Sequence, residues 1–233
     1  MVPVKNFQVF ATKSELYEKA VSCLQEGAER ASAAGEIFRL AVSGGSSAMI
    51  FRHLHPDYSL ENWHFYQVDE RFVPRDHPDS NFRLLQELTA GRIVNMTAFP
   101  VLESGTAEGA AVYKKCLKPD ENGFLFDCTI LGVGPDGHTA SLFPHSPALD
   151  ADSLTLDTST EFFAVSERMT LGFAAIARSR KILVLLTGSE KKLIYEQLFS
   201  GTADYHEYPV CRLLSLDYPV RPLPELHFLY AEV

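Results

Sequence analysis

Apolar residues recur at helical spacing at Leu16, Ala20, Leu24, Ala28 and Ala31, directly after Thr12-Lys13-Ser14-Glu15, which fits a capping box. Together they predict one amphipathic helix that closes near Gly35. The period then changes. Ile37-Phe38-Arg39-Leu40-Ala41-Val42 is a short apolar run that reads as a strand, broken by Ser43-Gly44-Gly45-Ser46-Ser47, with a helix over about residues 48–54. Trp63-His64-Phe65-Tyr66-Gln67-Val68 is the next strand and ends in Asp69-Glu70-Arg71. A polar, proline-bearing loop follows, after which Asp79 or Ser80 caps a helix through Leu88. A helix over 106–117 leads into the strand Phe126-Asp127-Cys128-Thr129-Ile130-Leu131. Phe162-Phe163-Ala164-Val165 reads as a strand, 171–178 as a helix, 181–186 as a strand, 189–199 as a helix and 226–230 as a last strand. Residues 145–160 form the loosest stretch, a mobile loop at most.

Strands that alternate with helices favour an α/β fold, an open and mostly parallel sheet covered on both faces. No repeat or convincing linker divides the chain, so residues 1–233 are expected to form a single Rossmann-like domain. In a parallel sheet, four polar or glycine-bearing strand ends fall on one edge: Ser43-Gly44-Gly45-Ser46, Asp69-Glu70-Arg71, the segment from Gly132 to His138, and Thr187-Gly188-Ser189. That edge is where open α/β sheets bind ligands.

Composition removes several classes. A formal net charge of −9 argues against a nucleic-acid partner, which needs a basic stripe. No apolar run is long enough to span a bilayer, and the N-terminus lacks the apolar stretch of a signal peptide. Cysteines at 23, 116, 128 and 211 form no Cys-x-x-Cys pair. Cys23 and Cys128 read as buried thiols, and the expected compartment is the reducing cytoplasm.

The candidate chemistry follows from the strand ends. Ser43-Gly44-Gly45-Ser46 joins a strand to a helix start, where bare N–H groups and hydroxyls can cradle an anion. It is equally readable as a serine-capped turn, and it lacks the Walker, dinucleotide and hydrolase-elbow patterns. Arg71, Arg168 and Lys191 stand near strand ends as candidate phosphate ligands, because an acidic protein that binds an anion must concentrate cations locally. Among eight histidines, His138 is set apart by the glycines around it in Gly132-Val133-Gly134-Pro135-Asp136-Gly137-His138. Either Asp136 or Asp69 could orient its ring.

In chain order these segments resemble the 6-phosphogluconolactonase family, in the wider group that also holds glucosamine-6-phosphate deaminases. The resemblance runs through Leu40-Ala41-Val42-Ser43-Gly44-Gly45-Ser46, Asp69-Glu70-Arg71-Phe72-Val73-Pro74 and Ser80-Asn81-Phe82-Arg83. It continues in Gly132 to Pro144, Glu167-Arg168-Met169-Thr170-Leu171 and Thr187-Gly188-Ser189-Glu190-Lys191. It implies hydrolysis of 6-phospho-D-glucono-1,5-lactone in the pentose phosphate pathway, with His138 as general base. Ser43, Gly44, Gly45, Ser46, Arg71, Arg168 and Lys191 would hold the phosphate. A small phosphorylated sugar lactone is the only partner implied, with no metal or organic cofactor, no nucleic acid and no membrane; the chain is expected to act as a monomer. The deaminase branch carries a glutamate where this chain has Phe143, and a phenyl ring cannot orient an imidazole as a carboxylate does. A non-catalytic sugar-phosphate sensor is the alternative of another class; the intact His138 and the lack of a DNA-binding segment speak against it. Ala48 replaces a proline often found after the serine-glycine loop, a change that touches only loop rigidity.

Overall fold

The computed structural model describes residues 3–233. The chain forms β1 (Val4–Phe10), α1 (Lys13–Ala33), β2 (Phe38–Val42), β3 (Trp63–Gln67), β4 (Asp69–Arg71) and α2 (Asn81–Leu88). Then come β5 (Asn95–Thr97), α3 (Thr106–Cys116), β6 (Phe126–Gly132), β7 (Thr155–Ser159) and β8 (Glu167–Leu171). The last elements are α4 (Phe173–Ile176), β9 (Ser179–Thr187), α5 (Lys192–Ser200) and β10 (Glu225–Ala231). Short 3-10 turns cover Gly45–His53, Pro147–Leu149, Ser189–Lys191 and Pro209–Leu214.

Seven strands lie parallel in the order β1-β10-β9-β6-β2-β3-β5. Alternation along the central strands divides the core in two. Leu183 and Leu185 of β9 face one apolar layer, with Leu40 and Val42 of β2 and Trp63 and Phe65 of β3; α1 and the 3-10 turn Gly45–His53 cover it. Ile182, Val184 and Leu186 face the other, with Leu226, Phe228 and Tyr230 of β10, under residues of α3, α4 and α5. Burial on both faces is why these strands read as nearly continuous apolar runs rather than alternating ones. A second sheet, antiparallel and in the order β4-β8-β7, sits past the end of β3.

Four expectations need correction. Asp69-Glu70-Arg71 is not the end of β3 but a separate strand, paired with β8 through Asp69↔Thr170 and Arg71↔Arg168. Phe162-Phe163-Ala164-Val165 is not a strand; it is the bend between β7 and β8. Its apolar character misled because those side chains do not serve the core: Phe162 is 82% exposed. Conversely, the stretch 145–160 holds both a 3-10 turn and β7, whose Thr-Leu-Asp-Thr-Ser sequence carries little hydrophobic signal. The helix over 48–54 is a 3-10 turn that begins at Gly45, where Ser47 Oγ donates to Gly44 O at 2.8 Å and draws the entry tight. The edge strand β1 and the three-residue β5 were not legible, the first because polar residues interrupt it.

Helix α1 is capped as its sequence suggests, with Thr12 Oγ1 accepting from Glu15 N at 3.2 Å. Thr12→Ala should lower stability by about 1 kcal/mol, read from the midpoint of urea unfolding, and Thr12→Ser should restore most of it.

Candidate active site

Strand order locates the site before any side chain is considered. From β2 the chain proceeds outward through β3 to β5, and then returns to lay β6 against the other side of β2. Neighbouring strands whose connections run in opposite directions leave a crevice at their carboxyl ends. The loop after β2 is Ser43-Gly44-Gly45-Ser46 and the loop after β6 is Val133 to His138, and both line one cleft of about 150 Å³.

On the β6 side, Asp136 Oδ1 lies 2.5 Å from His138 Nδ1 and also accepts from His138 N at 3.2 Å. A carboxylate at Nδ1 holds the proton there and leaves Nε2 as the ring's free lone pair. Burial opposes the charge on Asp136, but the hydrogen bond and charge of His138 outweigh it and bring the carboxyl below its usual range. Gly134 makes room for this pairing, since a Cβ there would overlap the imidazole ring. The loop is closed by Gly134 N donating to His138 O at 2.8 Å, and Thr139 Oγ1 donates to Gly132 O at 2.9 Å. Phe143 packs on the imidazole with ring centroids 4.8 Å apart.

On the opposite wall, Arg71 and Arg168 are direct cross-strand neighbours of β4 and β8, and both line the cleft. Like charges placed opposite each other are unfavourable unless something negative is shared between them. Burial, then the charge of Arg71, pull the Arg168 guanidinium below its ordinary range, with Asp69, Asp79 and Glu70 opposing. The Nε of each arginine and the Oγ of Ser43 are buried without a hydrogen-bond partner. Three such donors beside one cleft are chemically able to hold an anion.

Glu70 holds this wall in place. Its carboxylate is 2% exposed. Oε1 accepts from Arg71 N at 2.8 Å and Asn81 N at 2.7 Å. Oε2 accepts from Gln67 Nε2 at 2.6 Å, Ser80 Oγ at 3.2 Å and Phe82 N at 2.8 Å. One side chain thus ties β3, β4 and the start of α2 together, and supplies the negative charge a helix N-terminus favours. Asn81 Nδ2 donates to Asp69 O at 2.9 Å, and its side chain lies so close to Gly44 that a Cβ there would overlap it.

The remaining residues divide. Asp69 lines the cleft but orients Ser141, whose Oγ donates to Asp69 Oδ2 at 2.8 Å; it is Asp136 that takes the His138 ring. Lys191 is buried but absent from the cleft lining. Its Nζ stands 4.0 Å from Glu190 Oε1, and burial lowers its pKa against the raising effect of Glu190 and Asp136. Gly45 and Ser46 complete the cradle. Asn81 and Ser141 stand inside longer motifs, where short polar side chains beside charged ones give no separate signal. Among the described residues, no three His, Cys, Asp or Glu side chains cluster as metal ligands would.

Comparison with known proteins gives the class that fold and cleft define. A family model described as glucosamine-6-phosphate isomerases/6-phosphogluconolactonase matches residues 11–217, and the chain belongs to that family. It is 30% identical over 212 residues to the 6-phosphogluconolactonase of Synechocystis sp., covering 86% of this chain and 88% of that protein. It is 37% identical over 200 residues to the human GDH/6PGL endoplasmic bifunctional protein, covering 80% of this chain but only 25% of the relative. The chain therefore spans about a quarter of that relative's length. The crystal structure of a 6-phosphogluconolactonase from Shewanella baltica superposes with a TM-score of 0.80 at 28% identity, covering 99% of both chains.

Removing the Glu70 carboxylate would strand several buried donors at once. Glu70→Ala should cost about 3 kcal/mol or more in urea unfolding, because each orphaned buried donor carries a desolvation penalty. A loss under about 0.5 kcal/mol, the range of an ordinary surface change, would show that the wall does not depend on it.

Proposed function

We propose that the protein hydrolyses 6-phospho-D-glucono-1,5-lactone to 6-phosphogluconate, acting as a single domain in the cytoplasm. The observation that carries this reading is the sharing of one cleft by the Asp136–His138 pair and the facing Arg71 and Arg168. A base and a dianion seat held at fixed separation suit a substrate with a reactive carbonyl at one end and a phosphate at the other. The match to named lactonases over most of both chains supports the same substrate. The four unpaired cysteines, three of them buried, agree with a reducing compartment.

In this reading Arg71, Arg168, Ser43 and the N–H groups at the start of the Gly45–His53 turn hold the phosphate, and its binding energy places the lactone carbonyl. His138 Nε2 takes a proton from water as the water oxygen bonds to C1. The tetrahedral intermediate expels the ring oxygen, which receives that proton back, so one water is added across the C1–O bond. Asp136 stabilises the imidazolium between these two transfers. A lactone is activated enough that no covalent enzyme intermediate is needed. Gly134 N is engaged by His138 O at 2.8 Å, which removes it as an oxyanion donor.

The deaminase reading is weaker because Phe143 lies against His138 where that branch carries its glutamate. His138→Ala should lower lactonase turnover by about 10²–10⁴-fold, measured above the spontaneous rate, with 6-phosphogluconate binding nearly intact. Arg71→Ala and Arg168→Ala should instead weaken 6-phosphogluconate binding, and Lys191→Ala should do so less. Near-normal turnover in the histidine variant would remove the general base; unchanged binding in both arginine variants would move the phosphate elsewhere.

A further inference from the structure

We propose that Phe163, which belongs to none of the motifs above, is the positioning residue that couples the anion seat to the base; this rests on the lactonase reading. Phe163 sits at the tip of the bend between β7 and β8, closed at its base by Thr160 N donating to Ser166 O at 3.1 Å. Its ring meets His138 edge-on, with centroids 5.9 Å apart and planes at 80°. Phe143 lies 6.2 Å from the same ring, so the imidazole is flanked by two phenyl groups. The Arg168 guanidinium carbon stands 5.4 Å from the Phe163 centroid. One side chain therefore touches both the candidate base and a candidate phosphate ligand.

Each contact supplies something a hydrogen bond would not. The Asp136 carboxylate fixes the His138 ring at Nδ1, but a single bond leaves the tilt of the imidazole plane soft; aromatic walls restrict it. An arginine held by a carboxylate spends its donors on that partner. Held on a π face, Arg168 is braced while its N–H groups stay available, consistent with its unpartnered Nε. Phe163 is 44% exposed and is among the residues that line the cleft. Its neighbour Phe162 is 82% exposed and lies outside the cleft lining, which makes it the natural control.

The test compares Phe163→Ala, Phe163→Tyr and Phe162→Ala, each first shown to unfold at the wild-type midpoint. Phe163→Ala should lower kcat/KM for the phosphorylated lactone about tenfold, through both a higher KM and a lower kcat, since each brace is of modest strength. Phe163→Tyr should stay within about threefold of wild type and Phe162→Ala should match it. In an Arg168→Ala background, the loss from Phe163→Ala should be clearly smaller, because one of its two partners is already gone. The chain's one tryptophan, Trp63, is buried in the core, so Phe163→Trp adds a reporter in the cleft. Its fluorescence should respond to 6-phosphogluconate or glucosamine 6-phosphate and lose that response with Arg168→Ala. Kinetics of Phe163→Ala equal to those of Phe162→Ala, or a Phe163→Trp signal blind to both ligands, would overturn the assignment. If wild type shows no lactonase activity, the functional reading fails by itself and the fluorescence titration alone decides the role of Phe163.

Discussion

The wall of the cleft that carries Arg71 is held by the buried carboxylate of Glu70. Five donors from three successive elements converge on it: the end of β3, β4, and the cap and first turn of α2. Beside it, Asp69 and Arg71 leave the main sheet and pair with β8. Arg71 is delivered opposite Arg168, and Asn81 is delivered against Gly44. A satisfied buried network of this kind is rigid, because each donor that moves is left unpaired in a low dielectric.

The base side is built by different means. The loop after β6 folds back on itself through Gly134 and His138, and its geometry is set by the close approach of the imidazole to a residue that has no Cβ. The two sides meet because β2 and β6 are adjacent parallel strands whose connections run opposite ways. Ser141 joins them, donating to Asp69 Oδ2 from the base loop while its N–H donates to Thr170 Oγ1 on β8 at 3.2 Å. Topology brings these residues to one edge; hydrogen bonds and aromatic contacts then hold them in place.

Much of this was legible in the sequence, for physical reasons that differ by element. Central strands buried on both faces announce themselves as apolar runs, and Thr12 and Ser80 announce helices by capping them. Polar residues at the ends of parallel strands brought Ser43 and His138 to one edge, whereas Arg71 and Arg168 reach the same cleft through the antiparallel pairing of β4 and β8, which no local pattern announced. What escaped was structure without a local signature. The polar β7 and the interrupted β1 depend on their partners for strand conformation, and Phe162 and Phe163 are apolar without serving the core, Phe163 lining the cleft instead. Lys191 shows the limit of strand-end reasoning: it stands at the right edge, yet burial beside Glu190 keeps it out of the cleft lining.

The central claim is that this cleft performs ester hydrolysis on a phosphorylated ring rather than amino-sugar isomerisation. The most direct measurement offers wild-type protein the phosphorylated lactone and glucosamine 6-phosphate side by side, following 6-phosphogluconate with a coupled dehydrogenase and ammonia release in parallel. The account predicts lactone opening well above the spontaneous rate and no ammonia. Ammonia release without acceleration of lactone opening would contradict it.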